Sequence, residues 1–473
     1  MNPTAHAFKA NASRAIHDDS LQTALARAKN GFVDRRRSAI EALPEFQVLR
    51  DAAKQIKDHT LAHLDYYLER YETQVLAQGG QVHWARTPQE ASEIVLGLCR
   101  DAEAKHIIKG KSMVGEEMDL NKTLEEADME VIETDLGEYI VQLAKEPPSH
   151  IIAPAVHKTK QQITELFHTH HQRHGFTQRV TEVPEIVAEA RKVLRQAFLS
   201  ADVGITGANF LIAETGANVL VTNEGNGDLA STLPRMHIVI ATIDKVVPTL
   251  EDVTTVLRVL GRSATGQELT SYTTFSSGPR RPDDLDGPEH YHVVLLDHGR
   301  STMLGSEFQD MLRCIRCGAC LNYCPVYAAI GGHAYGWVYP GPMGSILTPL
   351  MVGLKETADL PNACTLNGRC QSVCPMDIPL PKMLRTLRTK AFEQNITPQR
   401  LQLGLSAWAA LAKRPQLYHW LMALSMRIMG ALGRRRGRLR SWPLAGGWTS
   451  VRDLPAPQGP TFQSAWKNKK LSA

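Results

Sequence analysis

Up to about residue 70, apolar residues such as Phe32, Val33, Ile40 and Leu43 recur at helical spacing among polar neighbours, which predicts an N-terminal helical arm over 1–70. Arg35, Arg36 and Arg37 interrupt that pattern and read as a solvated helix face rather than a nucleic-acid contact. Beyond residue 80 the period switches. QVHWAR predicts a strand, TPQEASEIVLGLCRDAEA a helix with Thr87 as N-cap and Pro88 in its first turn, HIIKGK a strand and SMVGEEMDLNKTLEEA a further helix. MEVIETDL and HIIAPAV then read as strands on either side of a helical GEYIVQLAKE. Strands alternating with helices of this length imply βαβ units and a parallel sheet. Between 200 and 300 the texture changes to short strands and glycine turns in NFLIAETGANVLVTNEGN, MHIVIATIDKVV and YHVVLLDHGRS, which predicts antiparallel hairpins inserted into that sheet or closing it. A Pro/Asp/Gly loop at 278–289 precedes the last strand.

Hydrophobic residues make up 43% of the 473 and charged residues 22%, which excludes wholesale disorder, collagen-like structure and a polytopic membrane protein. The net charge of +4 hides an asymmetry. From residue 381 onward 17 Lys and Arg stand against 2 Asp and Glu, so a basic tail follows an acidic body and marks an interaction surface at that end. MNPTAHAFKANASRAIHDDS has neither the apolar run nor the cleavage site of a secretory signal, and the chain is expected in the cytoplasm. Seven of the eight cysteines fall in the segment from Cys314 to Cys374, a clustering that reads as metal ligation rather than disulfide bonding.

Several patterns imitate ligand sites. Lys109, Gly110, Lys111 and Ser112 follow a strand, but a phosphate-binding loop needs glycine where Lys105 stands, so Ser112 is better taken as a helix N-cap. Gly225, Gly227 and Ala230, with Asp244 beyond them, match a dinucleotide fingerprint, yet Pro234 leaves too few residues for the crossover helix. His168, His170, His171 and His174 crowd one short stretch, and a shared face for His170 and His174 is too little for zinc. Cys99 sits in an apolar helical stretch and belongs to the core.

The cysteines carry the chemistry. CIRCGACLNYCP places Cys314, Cys317, Cys320 and Cys324 in the run of cluster ferredoxins, where three thiolates hold one cluster and the fourth turns toward a second. CTLNGRCQSVCP supplies Cys364, Cys370 and Cys374 and has Asn367 where the run would place another cysteine. Crossed ligation then assigns Cys314, Cys317, Cys320 and Cys374 to one complete 4Fe-4S site, and leaves Cys324, Cys364 and Cys370 for the other. An amide is a far weaker iron ligand than a thiolate, so the second site is expected to hold 3Fe-4S, or 4Fe-4S with a non-cysteine corner. The long interval between Cys324 and Cys364 predicts helices separating the halves, with His333, Tyr335, Trp337 and Tyr339 of GGHAYGWVYPGPMG packed around a cluster.

ETDLGEYIVQLAKEPPSHIIAPAVHK, GITGANFLIAETGANVLVTNEGN, RCIRCGACLNYCPVY and GGHAYGWVYPGPMG together resemble the lactate utilization protein B family. The resemblance implies an α/β LUD domain akin to sugar-phosphate isomerases and CoA transferases at 71–303 and a helical two-cluster ferredoxin domain at 304–395, and the charge asymmetry leaves a basic helical tail at 396–473. It also implies a role in oxidising L-lactate to pyruvate, as one subunit of an oxidoreductase complex with two partner subunits. Asn367 departs from the family pattern, which has cysteine there; its spacing is similar to the three-iron motif of succinate dehydrogenase iron-sulfur subunits.

Lactate oxidation releases two electrons and each cluster passes one, so the leading reading is an electron-transfer subunit relaying electrons through two clusters. The alternative is a LUD-domain enzyme with its own pocket, for which Glu214 and Glu224 at hairpin turns are the candidate carboxylates. A third feature is LYHWLMALSMRIMGAL, with His419 and Arg427, followed by Arg434, Arg435, Arg436, Arg438 and Arg440. The run is short for a membrane span. Docking of a partner subunit is expected there, with an anionic membrane surface as the alternative and nucleic acid as the weakest fit.

Overall fold

The computed structural model describes residues 3–443 and 445–471, and the chain divides into two compact units, Met1–Ala391 and Phe392–Ala473. Among the described residues of the first unit ten strands form two sheets. They are β1 (Gln81–Ala85), β2 (His106–Lys109), β3 (Glu130–Glu133), β4 (Val203–Gly207), β5 (Phe210–Ile212), β6 (Asn218–Thr222), β7 (Met236–Thr242), β8 (Val246–Val247), β9 (Tyr272–Ser276) and β10 (His290–Leu296). Six of them pair in parallel in the order β1-β10-β7-β4-β2-β3.

Helices over Pro88–Asp101 and Val183–Ser200 cover this sheet, the first opening on Thr87, whose side chain accepts the Glu90 N–H. Every residue of β7 is buried, and β10 is buried beyond His290. A parallel strand covered on both faces needs an unbroken apolar run. MHIVIAT and YHVVLL are therefore central parallel strands, and the expected hairpins account for other segments. β5, β6 and β9 form an antiparallel ladder, extended by β8 parallel to β5, that makes a second, four-stranded sheet. Asn218 ties it to the first, its amide donating to the Tyr291 hydroxyl at 2.8 Å.

Two expected elements differ in the structure. SMVGEEMDLNKTLEEA is two short helices, Met113–Glu117 and Leu120–Glu125, broken where Asp119 takes a left-handed conformation (φ 53°) that aspartate tolerates better than most residues. HIIAPAV is not a strand. Pro154 deprives it of a ladder donor, Pro147 and Pro148 precede it, and the His150 ring accepts the N–H groups of Ile152 and Ala153 at 3.0 and 3.2 Å.

The segment instead wedges against the cysteine-rich region. The Tyr327 hydroxyl donates to the Ser149 carbonyl at 2.9 Å, His333 Nε2 lies 2.7 Å from the Pro147 carbonyl, and His150 Nε2 faces Asn322 Oδ1 at 3.2 Å. Burial lowers the His150 imidazole to about 3, so the ring is neutral with Nδ1 as acceptor and Nε2–H as donor.

The helices before residue 70 pack into the core of the first unit. Helices Phe8–Ile16 and Phe46–Ala62 contribute Phe8, Phe46, Ala53 and Leu61 to the core that also holds the ferredoxin segment, and Ile40 of the helix Asp19–Glu41 packs against it. Arg36, expected in water, is buried: it donates to the Val373 carbonyl at 2.7 Å and lies over the Tyr323 ring. In the second unit, helices Gln399–Ala412 and Pro415–Gly433 expose Leu403, Trp408, Trp420 and Leu432, and the arginines from Arg434 to Arg440 follow them, all exposed. No helix of the described residues is long and apolar enough to cross a membrane.

Gly332 measures how closely the wedge is held, because a Cβ there would sit 1.7 Å from the Ser149 carbonyl oxygen. Gly332→Ala is expected to lower unfolding free energy by about 1–3 kcal/mol, read as a fall in the midpoint of urea denaturation.

Candidate iron-sulfur site

Two loops of the ferredoxin segment repeat one backbone shape. In the first, Arg316 (φ 58°) and Gly318 (φ 71°) are left-handed; in the second, Leu366 (φ 55°) and Gly368 (φ 78°) are. Each runs into a four-residue helix, Ala319–Asn322 or Arg369–Ser372. Cys324 N–H then bonds the Leu321 carbonyl and Cys374 N–H the Gln371 carbonyl, both at 3.0 Å. Cys364, Asn367, Cys370 and Cys374 thus occupy the positions of Cys314, Cys317, Cys320 and Cys324. Asn367 also copies the hydrogen bonding of its counterpart: its Oδ1 accepts the Arg369 N–H at 3.0 Å, as the Cys317 sulfur faces the Ala319 N–H.

The helices between the halves, chiefly Gly341–Val352, let the loops face one another. Cys314, Cys317, Cys320 and Cys374 line one interior cavity with Met311, Met343 and Ile378. Cys324 and Cys370 both lie near Cys364. Burial pushes the Cys317 and Cys370 thiols up to about 12 and that of Cys374 to about 11. Each is a sulfur whose deprotonation needs a compensating cation.

Amides already point at several of them: Tyr327 N–H at Cys324 Sγ (3.5 Å) and Leu366 N–H at Cys364 Sγ (3.3 Å). The buried Tyr335 hydroxyl is directed at the Cys324 thiol. A soft sulfur donor set, with amides and a hydroxyl directed at the sulfurs, fits iron-sulfur clusters.

Arginines outside the loops fix the carbonyls of the second one. Arg50 donates to Cys374 O at 2.8 Å and pairs with Asp377 at 3.1 Å, while Arg388 donates to Pro361 O and Cys364 O at 2.9 and 2.8 Å. Behind the first loop lies a buried ionic chain. Arg300 pairs with Glu117 at 2.6 Å and with Asp244 at 3.0 Å, His298 Nδ1 lies 2.9 Å from Glu117, and the Tyr339 hydroxyl donates to Glu117. Lys57 donates to the carbonyls of Asp244 and Val246. Arg316, two residues from Cys314, stacks over Tyr339 at 4.7 Å. Burial alone would raise the Glu117 carboxyl, but Arg300 and His298 outweigh it and hold the group near 2.

Profiles of known families match both halves of this arrangement: a LUD domain at residues 68–296 and a 4Fe-4S dicluster domain at residues 310–378. The chain is 42% identical to lactate utilization protein B of Shouchella clausii (strain KSM-K16), over 98% of this chain and 97% of that one. To lactate utilization protein B of Bacillus pumilus (strain SAFR-032) it is 41% identical, over 99% of both. The chain belongs to the lactate utilization protein B family. It is equally similar, at 41% over 97% of its length and 96% of the other's, to the uncharacterized electron transport protein YkgF of Escherichia coli (strain K12). This family member therefore joins an α/β LUD domain to a 4Fe-4S dicluster domain.

The remaining candidates take structural places. Ser112 is an N-cap, accepting the Gly115 N–H at 3.2 Å, and Lys109 is buried against Glu133 at 2.7 Å. The strand before Gly225 is β6, whose neighbours are antiparallel, so no dinucleotide unit exists there. His171 is satisfied by Glu189 at 2.7 Å and Tyr139 at 3.0 Å. Cys99 is core, its thiol pushed up to about 12 by burial.

Glu214 is an exposed turn residue accepting the Leu250 N–H at 3.2 Å. Glu224 lies between β6 and the helix Asn226–Thr232 rather than in a hairpin, and accepts the Leu136 N–H at 3.3 Å. Of the aromatic run, Tyr335 adjoins Cys324, Trp337 packs against His298 and Tyr339, and His333 turns away to meet the His157 ring edge to face. The ionic chain had no signature in the sequence, because its members come from segments far apart along the chain, as Tyr339 and Glu117 do.

Glu117→Gln should cost about 3 kcal/mol by leaving Arg300 short of a partner. Because the folded carboxyl lies below its ordinary 4.5, its contribution is complete above that value and is lost as pH falls toward about 2. The stability gap between wild type and variant in denaturant titrations should therefore close across that acid window.

Proposed function

We propose that the chain is the iron-sulfur electron-transfer subunit of an L-lactate-oxidising assembly, in which two partner subunits complete the conversion to pyruvate. The observation that carries this reading is the pair of repeated loops gathering seven buried or half-buried cysteines within a dicluster domain, in a chain whose full-length relatives are named lactate utilization protein B. Cys314, Cys317, Cys320 and Cys374 would hold a 4Fe-4S cluster, and Cys324, Cys364 and Cys370 a second centre, either 3Fe-4S or 4Fe-4S with a non-cysteine corner. Bound there, such clusters supply one-electron transfer.

The protein's own part is to keep the thiolates converged and dry. Arg50 and Arg388 clamp the second loop by its carbonyls, and Tyr335 covers Cys324. Asn367 keeps the loop closed through Arg369 N–H but presents an amide where its counterpart presents sulfur. The apolar helices Gln399–Ala412 and Pro415–Gly433 and the arginines after them are the proposed docking surface for a partner subunit, with contact to an anionic membrane surface as the second use.

The test is oxygen-free purification with iron and sulfide analysis and EPR of the oxidised protein. Two centres per chain are expected, the second with a three-iron signal or an iron lost readily on oxidation. Asn367→Cys should abolish that behaviour and raise the iron content by up to one per chain. Colourless or zinc-only preparations would overturn the electron-transfer reading, and unchanged spectra and iron content in Asn367→Cys would overturn the ligand assignment of the second centre.

A further inference from the structure

Away from the cysteine loops, Glu146 and His157 flank the wedge segment, and His333 follows the Gly331 and Gly332 turn that the wedge packs against. One donor atom of each lies within 4.8 Å of those of the other two. The two rings meet edge to face with centroids 4.5 Å apart, and His157 Nε2 lies 2.8 Å from Glu146 Oε2. His157 is buried, Glu146 half-buried and His333 exposed, so the group has inner donors and an outer one open to solvent.

Each donor is oriented by a partner on its other side. The Pro147 carbonyl can only accept, so His333 carries its proton on Nε2, 2.7 Å away, and keeps a lone pair on Nδ1. The Ser149 hydroxyl donates to the Pro154 carbonyl at 3.2 Å and therefore accepts from His157 Nδ1 at 2.8 Å, which puts the lone pair of that ring on Nε2. Lys158 Nζ donates to Glu146 Oε1 at 2.5 Å and leaves Oε2 to the rings. An imidazole whose far nitrogen is tied to a backbone carbonyl or hydroxyl, beside a carboxylate whose second oxygen is hydrogen-bonded, is the outer shell that orients metal ligands.

The lone pairs of His157 Nε2 and Glu146 Oε2 face one another at hydrogen-bond distance and call for a cation. A proton on the ring would answer that pair alone. The third donor, His333, turned to the same point, is what a metal ion needs. Two imidazoles and one carboxylate suit zinc, whereas calcium and magnesium take oxygen ligands. Three protein ligands leave a fourth position, and His157 and His333 line a cavity of about 330 Å3 with Asn11, Arg14 and Asp18.

We propose that Glu146, His157 and His333 bind a zinc ion, with the fourth position turned to this cavity and open to water or another small oxygen ligand. The helix Pro325–Ile330 begins directly after Cys324 and runs into the turn that carries His333, so the ion ties the wedge to the segment that starts at that cysteine. None of this depends on the electron-transfer reading above.

The test is anaerobic calorimetric titration of the untagged, iron-loaded full chain with Zn2+, with X-ray absorption at the zinc edge on the product. One ion per chain is expected, in a shell of nitrogen and oxygen at about 2.0–2.1 Å and without the sulfur at about 2.3 Å that binding to the cysteines would give. Affinity should fall at least tenfold in His333→Ala and in Glu146→Gln, with iron and sulfide contents at wild-type levels, and stay unchanged in His174→Ala, which removes a member of the separate histidine group. Zinc should also raise the thermal denaturation midpoint of the wild type and not that of His333→Ala, a variant at an exposed position. No saturable binding, a shell containing only sulfur, affinity unchanged in both site variants, or loss of binding in His174→Ala would overturn the proposal.

Discussion

Two acids and two bases, Glu117, Asp244, Arg300 and Lys57, are buried together where the parallel sheet meets the cysteine loops, and the architecture turns on their mutual neutralisation. Each would be costly alone in a medium of low polarity, and each is tolerated only because the others are held within hydrogen-bonding reach. Lys57 comes from an N-terminal helix, Glu117 and Asp244 from the carboxyl edge of the sheet, and Tyr339 from the segment between the two cysteine loops. None of these parts can shift without stranding a charge, so the LUD sheet, the N-terminal helices and the first cysteine loop are locked in one arrangement. Arg316, stacked on Tyr339, is the point at which that arrangement reaches the cysteines.

The second cysteine loop is built differently. It has no ionic chain behind it among the described residues and is held by arginines on its carbonyls, Arg36 on Val373, Arg50 on Cys374 and Arg388 on Cys364. Its backbone matches the first loop down to the two left-handed residues, so Asn367 is a change of donor atom within a repeated shape rather than a collapse of the loop. The two sites therefore differ in surroundings as well as in ligand count. The first adjoins a buried network of fixed charge, and the second lies near the surface, where Asn367 is exposed.

Much of the fold was legible because local chemistry and tertiary context agree. Thr87 and Ser112 cap the helices their sequences announce, and the spacing of CIRCGACLNYCP needs only the turn of one loop to bring three sulfurs together. Pattern and structure part where an apolar run has more than one use. MHIVIAT is as hydrophobic as a hairpin strand but is buried on both faces, which only its place between β4 and β10 reveals. HIIAPAV has a strand's composition and a loop's prolines, and it became a wedge because Tyr327, Asn322 and His333 offered its polar groups partners from a distant part of the chain. Arg36 reads as one of three solvated arginines until a carbonyl and an aromatic ring are seen over it.

The order of residues by itself determined the ligand types and their local geometry: seven cysteines, one asparagine among them, and the turns that aim them. Spacing along a chain is enough for that, since a loop of a few residues has few conformations. Tertiary structure alone decided which distant charges neutralise one another, and that Arg316 joins the cysteine loop to the buried ionic chain through Tyr339. Electrostatic energy depends on separation in space and on the exclusion of water, and neither quantity exists until the sheet, the helices and the loops have closed on each other.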